Sequence, residues 1–297
     1  MHDMKQAFLI ARQNFCGWKS NLRIWMTFAL EFVLCLMLSD QILSQAVRYE
    51  TPLQILEPFI WTYGDATSVM LSSLLLILLF ADMPFISQAT PYWLIRTKRS
   101  VWLAGQIIYV VLTTIIYNVI LVVSLSVIAS PFSFVGNVWS KTAAMLGYGG
   151  GESITVPVSI KTMEISTPYS CALAVFGLML CYSLLVAVLM LFFNLAFGNM
   201  TGVLSAFAFN LYGILLNPGV FLKIFHFSGN LEYRANVLCG WLSPLNHATF
   251  PMHNFGYDYL PTLWASGGIF LLLIVIFIFL SGRKMRTHNF SFIQMNE

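Results

Sequence analysis

Long apolar segments dominate this sequence and restrict it to membrane-protein folds. Hydrophobic residues make up 58% of the chain and charged residues only 9%, against roughly 25% charged residues in an average soluble domain. Several apolar runs reach the length of about 20 residues that an α-helix needs to cross a bilayer. The runs are continuous and do not alternate apolar with polar residues, which argues against a transmembrane β-barrel. The sequence therefore predicts an all-α integral membrane protein.

One transmembrane domain with six helical spans is predicted over residues 1–297. The predicted spans are residues 24–44, 66–87, 101–129, 169–197, 201–216 and 261–280. The intervening segments are a mostly acidic outer loop at 45–65, a basic loop at 88–100, and longer outer segments at 130–168 and 218–260. The segment 218–260 contains several prolines and glycines and is rich in aromatic residues. This composition predicts short helices at the outer interface.

The distribution of basic residues predicts the orientation of these spans. Four Lys or Arg residues precede the first span, three lie between the second and third, and three follow the sixth. Lys and Arg concentrate on the cytoplasmic side of membrane spans. Six spans with both termini in the cytoplasm place all ten of these residues on that side.

The N-terminal segment, residues 1–22, is predicted to form an amphipathic helix on the inner membrane surface. Lys5, Arg12 and Lys19 recur every seven residues, and large apolar side chains lie on another face. That apolar face comprises Met4, Phe8, Phe15 and Trp18. Apolar anchors opposite basic residues are typical of an interfacial helix. The alternative, a soluble cytoplasmic tail, would expose these apolar side chains to water.

Three acidic residues lie inside predicted spans: Glu31, Asp82, and Asp40 near the outer end of the first span. Glu31 is near the middle of the first span and is spaced by four from Thr27 and Cys35, which makes one polar stripe with Ser39. An ionisable group at that depth costs roughly 3 kcal/mol and usually faces a bundle interior or a cavity. We expect Glu31 and Asp82 to interact separately with polar neighbours. The alternative is that the two carboxyl groups meet, as acid–base chemistry requires.

Asparagines mark the fourth and fifth predicted spans, which the short turn 198–202 connects. Asn194, Asn210 and Asn217 are the polar positions of this helix pair. Hydrogen bonding between helices is their expected role. The lining of a substrate path is the alternative.

Motifs for common catalytic sites are absent from the sequence. It contains neither a GxSxG nucleophile elbow nor an HExxH zinc motif. The glycine-rich run GYGGGES at 147–153 lacks the GK[ST] ending of a phosphate-binding loop, so no cofactor is expected in this chain. The partial alternation of TVPVSIKTMEI, residues 155–165, predicts a small β-hairpin.

The remaining reactive side chains also give weak signals. The five cysteines are scattered without a CxxC pair. His247 and His253 are six residues apart with no acidic partner at useful spacing, so a metal site is a weak hypothesis. No basic cluster is dense enough to indicate binding to nucleic acid.

The basic loop between the second and third spans carries the most specific pattern in the chain. Its core reads YWLIRTKRSVWLAGQ, residues 92–106. Pro91, Tyr92 and Trp93 indicate an ordered interfacial segment rather than a slack connection. We interpret it as a short cytoplasmic helix between two spans. A plain topogenic loop is the alternative.

This loop, the surface helix, the six spans and the broken outer segment before the sixth span together resemble the permease subunit of ABC-2 type transporters. This family includes bacterial exporters of drugs and antimicrobial peptides. The resemblance implies a multi-pass permease in a bacterial cell membrane, paired with a second identical or homologous permease. It also implies two separate ABC ATPase subunits, which bind the ATP and Mg²⁺.

The resemblance also implies roles for individual residues. The loop after the second span is a coupling helix in this family, which nominates Pro91, Tyr92, Trp93, Arg96, Lys98 and Arg99 for contact with the ATPase. The second and fifth spans line the transport path in relatives, which nominates Ser72, Ser73, Phe207 and Asn210. An apolar, aromatic path is suited to an amphipathic or hydrophobic cargo such as a peptide, a drug or a lipid-like molecule.

Two other function classes remain open from the sequence. An ion-coupled secondary transporter or a membrane sensor would use Glu31 and Asp82 as proton or cation sites. No clear repeat relates residues 1–130 to 169–297, as an inverted-repeat transporter would require. A structural membrane subunit would have no substrate-dependent activity.

Overall fold

The computed structural model describes residues 2–85, 95, 97–148, 158–198, 200–225, 232–256 and 258–287. Thirteen α-helices and two very short strands lie in this part of the chain. The helices are α1 (His2–Cys16), α2 (Leu22–Arg48), α3 (Glu57–Tyr63), α4 (Ala66–Leu79), α5 (Arg99–Ala129), α6 (Lys141–Tyr148), α7 (Ile160–Ile165), α8 (Pro168–Phe197), α9 (Thr201–Leu215), α10 (Pro218–Phe225), α11 (Glu232–Leu242), α12 (Pro244–Ala248) and α13 (Leu263–Met285). The strands are β1 (Leu53–Gln54) and β2 (Ser133–Phe134), which pair in parallel.

The prediction of an all-α protein with several spanning helices is confirmed at this coarse level. Within the described ranges, four helices are long and apolar enough to cross a membrane: α2, α5, α8 and α13. Two further candidates are bent helix pairs, α3 with α4 at 90° and α9 with α10 at 69°. By length and composition, the described residues therefore contain four candidate spans, or up to six if each bent pair counts as one.

Helix α8 is the centre of the bundle. It packs against α3, α4, α5, α9, α12 and α13. In its most apolar window 67% of the residues are buried, against 11% in the corresponding window of α13. The sequence explains where α8 begins, because Thr167 and Ser170 form a capping box and Pro168 occupies the first turn.

The second predicted span, 66–87, is wrong at its inner end. Helix α4 ends at Leu79, and a turn follows at Ala81 and Asp82. Pro84 explains part of this difference, because a proline disfavours helical backbone at the residue before it and supplies no N–H group.

The segment 45–65 is not the polar outer loop that its acidic residues predict. All seven residues of α3 are buried. The Glu57 carboxylate accepts hydrogen bonds from the backbone N–H of Gln54 at 3.1 Å and of Ser140 at 2.7 Å, and from the Ser140 hydroxyl at 2.6 Å. These donors satisfy a carboxylate that would otherwise be costly to bury.

The hairpin predicted at 155–165 is wrong for the residues that are described, 158–165. Residues 160–165 form α7, and the Ser159 side chain caps it by accepting a hydrogen bond from the backbone N–H of Thr162. The Ser159 cap therefore stabilises a helix here, although the weak alternation of apolar residues predicts strands. By contrast, the prediction of short helices in 218–260 is confirmed by α10, α11 and α12.

The predicted N-terminal helix is present as α1, which packs against α5. Ala7, Ile10 and Ala11 are buried, whereas Met4 and Phe8 are 63% and 55% exposed. Ala7, Ile10 and Ala11 thus face the protein, and part of the predicted apolar face points outward.

Candidate functional site

A buried polar contact joins the two bent helix pairs. The hydroxyl of Ser73 on α4 and the side-chain oxygen of Asn210 on α9 lie within hydrogen-bonding distance. The hydroxyl of Tyr182 on the central helix α8 donates to the same Asn210 oxygen at 2.9 Å. The Asn210 amide nitrogen donates to the carbonyl of Ala206 at 2.9 Å. The structure therefore brings together two of the predicted path residues, Ser73 and Asn210, and Tyr182 adds a third helix to their contact.

The other two predicted path residues are placed differently. Ser72 is buried beside Ser73, and its carbonyl accepts a hydrogen bond from the Tyr117 hydroxyl at 2.7 Å. Phe207 lies on the outer side of α9 and is 54% exposed. The single chain thus does not gather all four residues around one space.

The predicted role of the asparagines in hydrogen bonds between helices is confirmed for Asn194 and Asn210. Asn194 donates to the carbonyl of Met83 at 2.6 Å and accepts from the backbone N–H of Gly202 at 2.6 Å. It therefore fixes the tight turn from α8 to α9 and holds the segment after α4. Asn217 makes a local contact instead, accepting from the backbone N–H of Val220.

Glu31 is fully buried between α2, α3 and α5. Its carboxyl group interacts with the Tyr117 and Tyr63 phenols and with Cys35 one turn along α2. Neither carboxylate oxygen has a hydrogen-bond partner of good geometry among the described residues. A buried carboxyl group in this condition is a candidate site for a proton or a cation.

Asp82 belongs to a different place in the fold. Its carboxylate forms an ion pair with Arg23 at the start of α2, and 58% of its side chain is exposed. Arg23 and Glu31 are eight residues apart on α2, or about 12 Å along a helix. The structure thus favours separate partners for Glu31 and Asp82, as expected from the sequence.

Three basic clusters that are distant in sequence meet at one end of the bundle. Lys98, just before α5, lies 3.5 Å from Asp3 on α1. Arg99 donates a hydrogen bond to the carbonyl of Arg286 just after α13 at 2.9 Å. The N-terminal helix, the end of the basic loop and the end of α13 therefore lie on the same side. The predicted coupling residues Pro91, Tyr92, Trp93 and Arg96 lie outside the described residues.

A two-histidine network is the polar site that sequence reasoning missed. The hydroxyl of Ser266 on α13 lies 2.7 Å from His247 Nδ1 and 2.8 Å from His253 Nε2. The other ring nitrogens face backbone carbonyls, Trp241 at 2.9 Å for His247 and Thr249 at 2.9 Å for His253. The spacing of the histidines gave no signal for this network, because the residue that joins them lies on another helix.

When both rings are neutral, the network has one hydrogen atom fewer than its hydrogen bonds require. Carbonyls only accept, so the nitrogen facing each carbonyl carries a hydrogen. The remaining nitrogens of His247 and His253 then compete for the single hydroxyl hydrogen of Ser266. Protonation of one ring would complete the network, but burial lowers the pKa of His247 and lowers that of His253 to about 4.

Comparison with known proteins adds no family to this description. No protein-family model matches the chain, and no curated protein or solved structure is significantly similar to it.

Proposed function

We propose that this chain is the membrane-spanning permease subunit of an ATP-driven exporter of the ABC-2 type. It moves an amphipathic or hydrophobic cargo, pairs with a second permease, and is driven by two separate ATPase subunits that bind ATP and Mg²⁺. The observation that carries this proposal is the Ser73–Asn210–Tyr182 contact, which links two interrupted helix pairs to the central helix α8.

Interrupted helices support a transport role. Breaks in helices at membrane depth are tolerated where the irregular backbone is buried in protein or lines a cavity, and transporters use such breaks at their binding sites. Buried hydrogen bonds between membrane helices are worth only about 0.6–2 kcal/mol each. The contact between α4 and α9 is therefore weak enough to break and re-form as the helices move.

The basic end of the bundle supports docking of a partner there. Arg99 connects the loop before α5 to the end of α13, and Lys98 connects it to α1. A partner that pushes on this loop would therefore act on three helices at once. Rigid-body movements of domains are passed on through the contacts at their interfaces.

The experiment is purification of the tagged chain from its native host in mild detergent, with mass spectrometry of the proteins that accompany it. The test variant combines Arg96→Glu with Arg99→Glu. The control is Lys223→Glu, which reverses a charge at an exposed position on α10. We expect a stoichiometric ATP-binding protein with the wild-type chain and the control, and its loss from the double variant.

Absence of an ATP-binding protein from the folded wild-type chain would remove the ABC proposal. Retention of the ATPase by the double variant would remove the basic loop from the docking site.

The second candidate function is an ion-coupled transporter or a sensor, and the burial of Glu31 favours it. Among the described residues Glu31 has no hydrogen-bond partner of good geometry, and ionisable groups inside membrane bundles commonly mark proton and cation paths. Transport in proteoliposomes that followed an ion gradient without ATP, and that was abolished by Glu31→Gln, would support this function over the first.

A further inference from the structure

A groove with a basic mouth and apolar walls runs between the start of α5 and the end of α13. Its volume is about 550 Å³, within the range of roughly 300–1,000 Å³ typical of small-molecule sites. The first turns of α5 and the last turns of α13 line the groove.

The mouth of the groove is suited to an anion. Arg99, Arg283 and Arg286 line it, and none of the lining residues is acidic. The hydrogen bond from Arg99 to the Arg286 carbonyl holds the two chain segments together at this point. Guanidinium groups bind the oxygens of phosphates and carboxylates through paired N–H donors, which favours an oxyanion over a halide.

The walls of the groove are suited to a hydrocarbon chain. Leu103 and Ile107 project from α5, and Ile278 and Phe279 project from α13. Phe279 is 68% exposed. A Cβ atom added at Gly282 would meet no atom within 4 Å, so the groove stays open between the basic mouth and this apolar part.

We propose that this groove binds an anionic phospholipid, with its phosphate at the three arginines and an acyl chain between α5 and α13. Basic pockets between membrane helices on the cytoplasmic side bind anionic head groups in this way. The arginines lie at the ends of two apolar helices. At this position a lipid can place its charged head group beside the arginines and its acyl chain beside the apolar side chains. This site requires no ATPase, but it shares Arg99 with the proposed docking surface, so its test changes Arg283 and Arg286 and leaves Arg99 in place.

The test is native mass spectrometry of the full chain in neutral detergent with added dioleoyl phosphatidylglycerol or dioleoyl phosphatidylcholine. The variants are Arg283→Ala with Arg286→Ala, which removes charge, and Gly282→Leu, which fills the groove without changing charge. Lys284→Ala is the matched control, because Lys284 is exposed on the same helical turn but does not line the groove. Thermal unfolding checks that each variant is folded.

We expect the wild-type chain to retain phosphatidylglycerol in preference to phosphatidylcholine. Each arginine near an anionic lipid contributes a factor of roughly five, so the double variant should bind about 25-fold more weakly. Gly282→Leu should also lose the lipid, and Lys284→Ala should keep it.

Three results would overturn the proposal. Equal retention of the two lipids would mean that the arginines do not select an anionic head group. An equal loss with Lys284→Ala would mean that the surface charge alone attracts lipid. Displacement of phosphatidylglycerol by millimolar inorganic phosphate would mean that the arginines bind a free anion and that the apolar walls contribute nothing.

Discussion

Ser73 on α4 and Asn210 on α9 are 137 residues apart in sequence and share a buried hydrogen bond, to which Tyr182 adds a second. Because Asn210 is the shared acceptor, its loss leaves two buried hydroxyl groups without this partner. Loss of Ser73 leaves the bond from Tyr182 in place.

We expect Asn210→Ala to lower the free energy of unfolding in detergent by about 1–2 kcal/mol, and Ser73→Ala to lower it by less than half of that. Thermal unfolding of the single and double variants as a cycle measures the coupling. Phe207→Leu, at an exposed position on the same helix, is the control and should have little effect. Additive effects of the two substitutions would contradict the shared contact.

Glu31→Gln and Asp82→Asn are expected to differ in their effect on stability, and only the second should lower it. Glu31 is fully buried without a hydrogen-bond partner of good geometry in the described structure, so a neutral amide of the same shape should not lower the unfolding temperature. Asp82→Asn removes the anion that faces the mostly buried Arg23, and should cost about 1 kcal/mol.

Thermal unfolding of both variants in the same detergent gives the comparison. Strong destabilisation by Glu31→Gln would show that the carboxylate itself holds the bundle together, for example through a bound cation.

The His247–Ser266–His253 network is expected to make the fold sensitive to acid. Burial lowers the pKa of His253 to about 4, against roughly 6.5 in an unfolded chain. Between these values the unfolded chain binds a proton that the folded chain does not, so stability is complete above pH 6.5 and falls as the pH falls. From pH 7.5 to pH 5 the loss should be about 2 kcal/mol.

Unfolding curves of the wild-type chain and of His253→Asn across this pH range isolate the contribution of His253. The charges that face this ring, Lys161 and His247, are present in both proteins. A wild-type chain that gained stability on acidification relative to the variant would show that the missing hydrogen of the network outweighs burial.

Gly105 on α5 is expected to be essential for the close packing of α1 against α5. A Cβ atom at this position would lie 2.8 Å from Ile10 Cβ and 2.9 Å from the Ala7 carbonyl oxygen. Gly105→Ala should therefore move α1 away from α5 and lower stability by about 1–3 kcal/mol. Gly177→Ala is the matched control, because a Cβ there meets no atom within 4 Å.

Limited proteolysis of the N-terminal segment and thermal unfolding measure the two effects of Gly105→Ala. Unchanged protease resistance would mean that α1 does not depend on this close approach.

The positions of the long helices were predictable from the sequence because hydropathy is a local property. The spans predicted at 101–129 and 169–197 agree with α5 and α8 within two residues. The bend between α3 and α4 was not predictable in this way. The bend depends on Asp65, which caps α4 by accepting hydrogen bonds from the backbone N–H groups of Thr67 and Ser68. It also depends on Ser140, which is distant in sequence and donates a hydrogen bond to Glu57 from its backbone N–H group.

The candidate site was predictable only in part, because contacts between residues that are distant in sequence are not a local property. Ser73 and Asn210 were nominated by resemblance, and the structure places them in contact. The link between His247 and His253 through Ser266 was not visible, since a hydroxyl in an apolar span carries no signal of its own. Most of the predicted coupling residues lie outside the described residues, so their role stays a prediction.

The central position of α8 has a consequence for biosynthesis. Helices α3, α4 and α5 leave the ribosome before the helix on which they pack has been made. Until the chain has been made as far as Asn210, the Ser73 hydroxyl lacks the side chain that it contacts in the finished bundle. The early helices therefore complete their packing only after α8 and α9 have joined them.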